Sequence, residues 1–372
     1  MDFSFSEEQN MLRSQAKQFL ADRLPPEKVV ELATWIDETD EPELEVLDRV
    51  AWKQIAELGW IGLSAPEEAG GSGMSFLDEA VLFEELGYAL YPGPYFSTVG
   101  LALPALAGDK DALQKVMAGE MSATVPARTL SGAEPTLTAR QEGSEWRLSG
   151  EMDLVSDLWE KTFVVAAART PEGTALFLVD FDDEFEGSDR RAGTVDLTRR
   201  YSNPTPDPDK GTQAHLLTKP GEETTQLLDK MRLRALAAAA LEAVGVAQRA
   251  LDLAKAYVSE RKQFDKPIGT YQAVSHQVAD SYMGVELARS LAYWAAWCVA
   301  ESDEQAPRAV AAAKSLATEV AVSVSERSIQ VHGGIGFTWE HILHRYYKRA
   351  EWLDSFMGFG SAHRADLATT LL

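Results

Sequence analysis

The chain is 372 residues long, 45% of them hydrophobic, with a formal net charge of -23 and a single cysteine. That length suits two or three domains with a real core. The acidic balance argues against nucleic acid and anionic membrane surfaces, which are held by clustered Lys and Arg, and one cysteine excludes an intrachain disulfide framework. No apolar run reaches bilayer-spanning length. The N-terminus, Met1-Asp2-Phe3-Ser4-Phe5-Ser6-Glu7-Glu8, has neither the basic nor the apolar region of an export signal, so the expectation is a cytoplasmic protein. A small anionic ligand held by a few local arginines remains compatible with this charge.

From Ser4 to about Gly119 the pattern is helical. Leu12, Ala16 and Leu20 share a face, and Val50, Ile55 and Leu58 lie in a helix-spaced stretch. The glycine-rich run Pro66-Glu67-Glu68-Ala69-Gly70-Gly71-Ser72-Gly73 interrupts it, and a helix resumes through Leu77, Val81, Leu82 and Leu86. Between Glu120 and Leu217 the texture is that of short strands, in Trp146–Ser149, Thr162–Ala167 and Ala175–Val179. From Glu222 onward, long Ala- and Leu-rich stretches at Leu227–Arg261, Val274–Ala300 and Pro307–Gln330 predict a helical bundle. Cys298 lies in an apolar helical stretch and reads as an inert core thiol. His341 and His344 lack a surrounding set of metal ligands, so no metal is expected, and the pair reads as a solvated or partner-facing helix surface.

Two motifs carry chemistry. In Glu260-Arg261-Lys262-Gln263-Phe264-Asp265-Lys266-Pro267-Ile268-Gly269-Thr270-Tyr271-Gln272, an arginine at a helix end offers a planar fork suited to a diphosphate. Phe264 can pack on an apolar ring or plug the bundle. In Gln330-Val331-His332-Gly333-Gly334-Ile335-Gly336-Phe337-Thr338, the paired glycines let a ligand approach backbone N–H groups, and Gln330 offers both donor and acceptor. The plainer alternatives are a surface ion pair of Arg261 with Glu260 or Asp265, and a tight turn at Gly333-Gly334.

Together with Pro66-Glu67, Gly70-Gly71 and Glu84-Glu85-Leu86-Gly87, these segments resemble the acyl-CoA dehydrogenase family over nearly the whole chain. The resemblance implies an α+β fold: an N-terminal helical domain (1–119), a middle β domain (120–220) and a C-terminal four-helix bundle (221–372). It also implies FAD lying between two subunits. One subunit holds the flavin ring, the acyl-CoA and the base; its neighbour reaches across to the diphosphate and adenosine. Arg261, Gln263, Phe264, Ile268, Tyr271, Gln272, Gln330, Gly333 and Gly334 match the reaching set.

The departures from the family are as informative. The reaction needs a carboxylate base beside the substrate α-carbon. At the C-terminal base position, with Gly358 and Arg364 keeping the register, stands Met357; at the alternative position stands Ala235. Glu242 lies one heptad beyond Ala235, about 10 Å along a helix, and reads as a helix-surface or interface carboxylate. The flavin-ring segments are replaced by Ala123-Thr124-Val125-Pro126-Ala127-Arg128 and Asp153-Leu154-Val155-Ser156, of which Ser156 retains a donor. Bacterial members acting on steroid side chains are similar: a short subunit without the base pairs with a longer catalytic one. Tyr91-Pro92-Gly93-Pro94-Tyr95-Phe96 and Asp196-Leu197-Thr198-Arg199-Arg200 also resemble that short type. The expectation is an FAD-supporting subunit of a heterotetramer, with acyl-CoA bound through the longer partner and an electron-transfer flavoprotein or similar acceptor. The alternatives are a self-sufficient dehydrogenase using Glu242 and a non-catalytic structural paralogue.

Overall fold

The computed structural model describes residues 5–38, 49–158, 161–181, 192–204, 206 and 210–371; Met1 to Ser4 of the N-terminal reading lie outside them. Helix α1 (Glu7–Arg23) starts at a capping box in which the Ser6 hydroxyl accepts from the Gln9 amide and the Gln9 side chain accepts from the Ser6 amide. Helices α2 (Pro26–Glu38), α3 (Arg49–Glu57) and α4 (Phe76–Tyr88) follow. Ala16 and Leu20 are buried as their spacing predicts, but Val50 is exposed, because the short α3 turns only Ala51, Trp52 and Ile55 inward. In the Pro66–Gly73 loop a side chain at Gly71 would collide with the Ala65 carbonyl, so this glycine is fixed by close backbone approach. A π-helical segment (Phe96–Ala102), α5 (Leu103–Leu106) and α6 (Lys110–Met117) complete the N-terminal part.

The middle part holds β1 (Ser122–Thr124), a short helix α7 (Ala127–Ser131), β2 (Leu137–Glu142), β3 (Glu145–Ser149), β4 (Val155–Ser156), β5 (Thr162–Thr170), β6 (Gly173–Phe181), β7 (Tyr201–Ser202) and β8 (Thr212–Leu216). Strands β5, β2, β3, β8 and β6 pair in a closed ring, and β1 adds parallel to β5. Period-two alternation sorts β5. Val164, Ala166 and Ala168 point into the barrel's own core, while Phe163, Val165 and Ala167 join the large core shared with the helices.

The C-terminal part is a bundle of α8 (Glu222–Glu260), α9 (Gln272–Ala300), α10 (Ala306–His332) and α11 (Leu343–Ser355), with α12 (Gly360–Leu371) against α10. A two-strand hairpin, β9 (Lys262–Gln263) and β10 (Lys266–Pro267), joins α8 to α9. The α8 run from Arg234 to Ala247 is buried throughout, because the helix is the bundle's centre. Glycines set its crossing with α4: a Cβ at Gly245 would overlap the Glu84 carbonyl, and one at Gly87 the Glu242 carbonyl. The two backbones therefore touch. The chain thus folds as an N-terminal helical domain, a middle β domain and a C-terminal helical domain.

Candidate functional site

Two separate regions hold the residues singled out in the sequence. The first is the end of the bundle where α8 and α10 both terminate. The Tyr257 ring, one turn before Arg261, stacks on the His332 ring at 4.3 Å, and His332 immediately precedes Gly333. This contact brings the two motifs, some seventy residues apart, to one place. Arg261, Gln263, Phe264, Gln272, Gln330, Gly333 and Gly334 are exposed there, and Ile268 and Tyr271 are half-buried.

The hairpin is built to project. Phe264 and Asp265 sit in its turn with φ of +52° and +62°, left-handed values that non-glycine residues adopt at a cost of roughly 1–3 kcal/mol each. Phe264 at the tip is 87% exposed. The turn is braced by the Tyr271 hydroxyl donating to the Gln263 carbonyl at 3.2 Å and by Lys266 Nζ 4.4 Å from the Tyr271 ring. Among the described residues, no ion pair joins Arg261 to Glu260 or Asp265. At Gly333, φ is +67°, and a side chain at either Gly333 or Gly334 would meet open space. A solvent-facing guanidinium, an exposed aromatic tip, a primary amide and bare backbone fit a diphosphate and its neighbouring rings.

The second region is a cleft of about 930 Å³ between the β domain and α11–α12, lined by Val125, Ser156, Trp352, Phe356, Met357 and Phe359 among others. The two altered flavin-ring segments meet here through a bridge from Pro126 to Val155 and an Ala127 amide donating to the Leu154 carbonyl at 2.8 Å. Several of their polar groups are already engaged. The Thr124 hydroxyl donates to the Ser156 carbonyl at 2.6 Å, and Ser156 Oγ lies 3.4 Å from that same hydroxyl. Arg128 lies 3.8 Å from Asp153 and donates to the Glu134 carbonyl. The cleft is wide enough for a flat ring system but poor in donors aimed at one.

Met357 stands on the cleft wall with φ of +54°. Buried Lys314 holds its loop, donating to the carbonyls of Asp354 at 3.2 Å and Gly358 at 3.1 Å. Burial lowers the Lys314 ammonium to about 8, opposed by Asp354. Ala235 is fully buried.

Glu242 corrects the sequence reading. It is 3% exposed and neither on the surface nor at an outer face. Arg199 donates to both its oxygens at 2.7 Å, and Arg349 donates to one of them. Arg349, fully buried, also donates to Asp196, to the Thr198 hydroxyl and carbonyl, and to the Tyr91 carbonyl. Arg199 lies 5.1 Å from the centre of the Phe96 ring and 4.9 Å from that of Trp352. Asp157 sits 3.9 Å from Arg199. Burial pushes the Asp157 carboxyl up, against the pull of Arg199. The network joins all three domains. The sequence contained Asp196–Arg200 as a motif but gave no sign of its partners Glu242 and Arg349, which lie far along the chain.

His344 is a second correction. It is buried, not solvated, edge-on to Trp339 at 4.9 Å, and burial and nearby Arg345 and Lys348 lower it to about 4. Among the described residues no group of three or more His, Cys, Asp or Glu side chains converges to hold a metal, and no helix is long and apolar enough to cross a membrane.

Known proteins share this arrangement. Residues 6–119 match the acyl-CoA dehydrogenase N-terminal domain and residues 225–372 the acyl-CoA dehydrogenase C-terminal domain. Acyl-CoA dehydrogenase IpdE2 of Mycolicibacterium smegmatis is 31% identical, covering 82% of this chain and 83% of its own. Acyl-CoA dehydrogenase FadE27 of Mycobacterium tuberculosis is 30% identical, covering 84% and 85%. Among solved structures, a variant of the Tcur3481-Tcur3483 steroid ACAD superposes with a TM-score of 0.83 at 30% identity over 98% of both chains. The ChsE4-ChsE5 complex from Mycobacterium tuberculosis superposes at 0.84 with 26% identity, covering 100% of this chain and 99% of that one. With both terminal domains matched and the motifs gathered at the bundle end, the chain belongs to the acyl-CoA dehydrogenase family of flavin-dependent oxidoreductases.

Proposed function

We propose that this chain is the FAD-supporting, base-less subunit of a heteromeric acyl-CoA dehydrogenase, working in the cytoplasm beside a longer catalytic homologue. The observation that carries the reading is a division within one molecule. Most of the residues that would reach toward a neighbour's cofactor are exposed, while Met357 and Ala235 stand at the base positions and Glu242 is locked by two arginines. Arg261, Gln263, Gln330 and the backbone at Gly333-Gly334 would hold the diphosphate of FAD, and Phe264, Ile268, Tyr271 and Gln272 would pack around its adenosine side. The bound flavin supplies hydride acceptance, and an electron-transfer flavoprotein or similar protein takes the electrons onward. We place the domain boundaries near residues 119 and 220.

Exposed apolar side chains in the same half of the chain support a partner: Tyr282, Met283 and Leu287 on α9, and Ile335, Phe337 and Trp339 after α10. The partner is a second family member. The likeness to the steroid ACAD favours a steroid side-chain CoA thioester as the assembly's substrate, and the likeness to the ChsE4-ChsE5 complex favours a partner. The reading in which Glu242 is the base is disfavoured, because the side chain is 3% exposed and both its oxygens are taken by arginine, leaving neither free to approach a substrate carbon.

Co-expression with a longer, glutamate-bearing homologue tests the proposal. The expected product is a heterotetramer with two flavins that turns over acyl-CoA, while the single chain does not. A flavin-saturated homotetramer, or four flavins per heterotetramer, would overturn the half-site reading. A stable complex without any flavin spectrum would favour the structural paralogue.

A further inference from the structure

We propose that a second cavity, about 700 Å³ in volume and bounded by α1, α4, α8, α9 and α11, binds a small amphipathic monocarboxylate, with the carboxylate seated on Arg249. The proposal does not depend on the subunit role. Among the described residues, this cavity and the Met357 cleft share no lining residue. Arg249 also lies about 18 Å along α8 from Arg261 of the hairpin motif.

The cavity opens just beyond the close crossing of α4 and α8 at Gly87 and Gly245. There the two helices carry long polar side chains, Tyr88 on α4 and Gln248, Arg249 and Asp252 on α8. Helix α1 closes another side. Arg13, Lys17, Ala21 and Leu24 recur at helical spacing, so one face of α1 changes from charged to apolar along the cavity. Pro25 and Ile342 extend the apolar wall.

The charges lining the cavity select an anion. Four cationic side chains and three carboxylates line it, an excess of positive charge in a chain whose formal net charge is -23. Each of the three carboxylates is engaged. Glu84 accepts from Arg289 at 2.9 Å, from the Tyr293 hydroxyl at 2.7 Å and from Arg13 at 3.2 Å. Glu85 pairs with Arg13 at 3.4 Å and with Lys17 at 3.7 Å. Asp252 accepts from the Tyr88 hydroxyl at 3.2 Å and from the Gln248 amide at 3.0 Å. Arg249 differs from the other cations. Its guanidinium donates to the Tyr88 hydroxyl at 3.1 Å and neighbours the Tyr346 hydroxyl, both neutral groups. Among the described residues, no carboxylate forms an ion pair with it. A half-buried planar fork in this state matches a carboxylate bound through both oxygens. The fork is held 5.2 Å from the centre of the Tyr88 ring, so a ligand has little left to order. The cavity's size suits a small molecule, and its apolar wall suits a hydrocarbon body rather than a second charge.

The test titrates the purified full chain with octanoate by calorimetry, with butyrate and octylamine as comparisons. Octanoate should bind saturably. Butyrate should bind at least about tenfold more weakly, since each buried methylene favours binding, and octylamine should not bind. Arg249→Gln should weaken octanoate by about tenfold to a hundredfold. Ala21 is exposed on α1, so Ala21→Trp fills the cavity from outside the core and should abolish binding; it decides the matter if Arg249→Gln does not fold. Arg232→Gln alters the lining of the Met357 cleft and should leave octanoate affinity unchanged. The proposal is overturned by absence of saturable octanoate binding, or by octylamine binding as tightly as octanoate. It is equally overturned if octanoate affinity survives Arg249→Gln or Ala21→Trp in a folded chain, or is lost in Arg232→Gln, because the acid would then lie elsewhere. Loss of the proposed subunit role would show in partner and flavin content and would leave these outcomes as they stand.

Discussion

Replacing Arg349 with methionine removes the guanidinium that ties the bundle to both other domains. The loss includes its bonds to Asp196 and Glu242, two to Thr198 and one to the Tyr91 carbonyl. Methionine fills much of the same space, so the cost is mainly electrostatic. Glu242 keeps Arg199, and Asp196 keeps the Thr198 amide and hydroxyl, but the buried network loses one of its two guanidiniums while both carboxylates stay. Breaking a buried pair from one side costs about 3–5 kcal/mol. The natural control is Glu242→Gln in the same background, which removes one of those carboxylates. The double variant should lie above the sum of the two single losses by about 0.5–3 kcal/mol, the range found for directly coupled residues. Urea unfolding followed by tryptophan fluorescence measures both quantities, with Trp352 reporting from inside the network. A loss below about 1 kcal/mol for Arg349→Met, strictly additive with Glu242→Gln, would show that these carboxylates are hydrated.

Arg261→Ala should loosen flavin in the assembled protein by about one to two orders of magnitude, from the roughly 1.5–3 kcal/mol of a hydrogen bond to a charged group; unchanged flavin absorbance after dialysis would make Arg261 a plain surface residue. Met357→Glu restores a carboxylate on the cleft wall, yet the single chain should still show no acyl-CoA turnover in an electron-acceptor assay, and turnover would overturn the half-site reading. Burial raises Glu85 to about 7, with Lys17 and Arg13 opposing and Glu84 adding to it. The folded chain therefore binds this proton more tightly than the unfolded chain, and stability should fall as pH rises from about 4.5 to 7, then level off. Glu85→Gln should flatten that slope in urea titrations; a slope unchanged by the substitution would assign the dependence to another group.

The order of the three domains was legible because each has its own rhythm: 3.6-residue spacing in the long α8 and α10 runs and alternation in β5. The two motifs of the expected reaching set stood out because each is one short segment, and the structure brings them to one end of the bundle. The interior network was not, since Asp196, Arg199, Glu242 and Arg349 come from the β domain, the middle of α8 and α11, and no local pattern links them. Glu242 looked like a surface residue because polar side chains on helices usually are, and only the opposing arginines make its burial tolerable. Val50 and His344 failed in opposite directions for a related reason. Periodicity shows that a helix has an inner face, but the packing of neighbours decides how far that face extends.

The hairpin tip has a consequence for how the protein is supplied in the cell. Phe264 is held outward by a turn of two left-handed residues, in the same half of the chain as bare Phe337 and Trp339. Such a surface favours self-association when no complementary chain covers it. On the heteromeric reading proposed above, molecules made in excess of their counterpart would gather into oligomers or be cleared, and the soluble amount would follow the scarcer of the two chains. Balanced synthesis, rather than regulation of catalysis, then sets how much working assembly the cell contains.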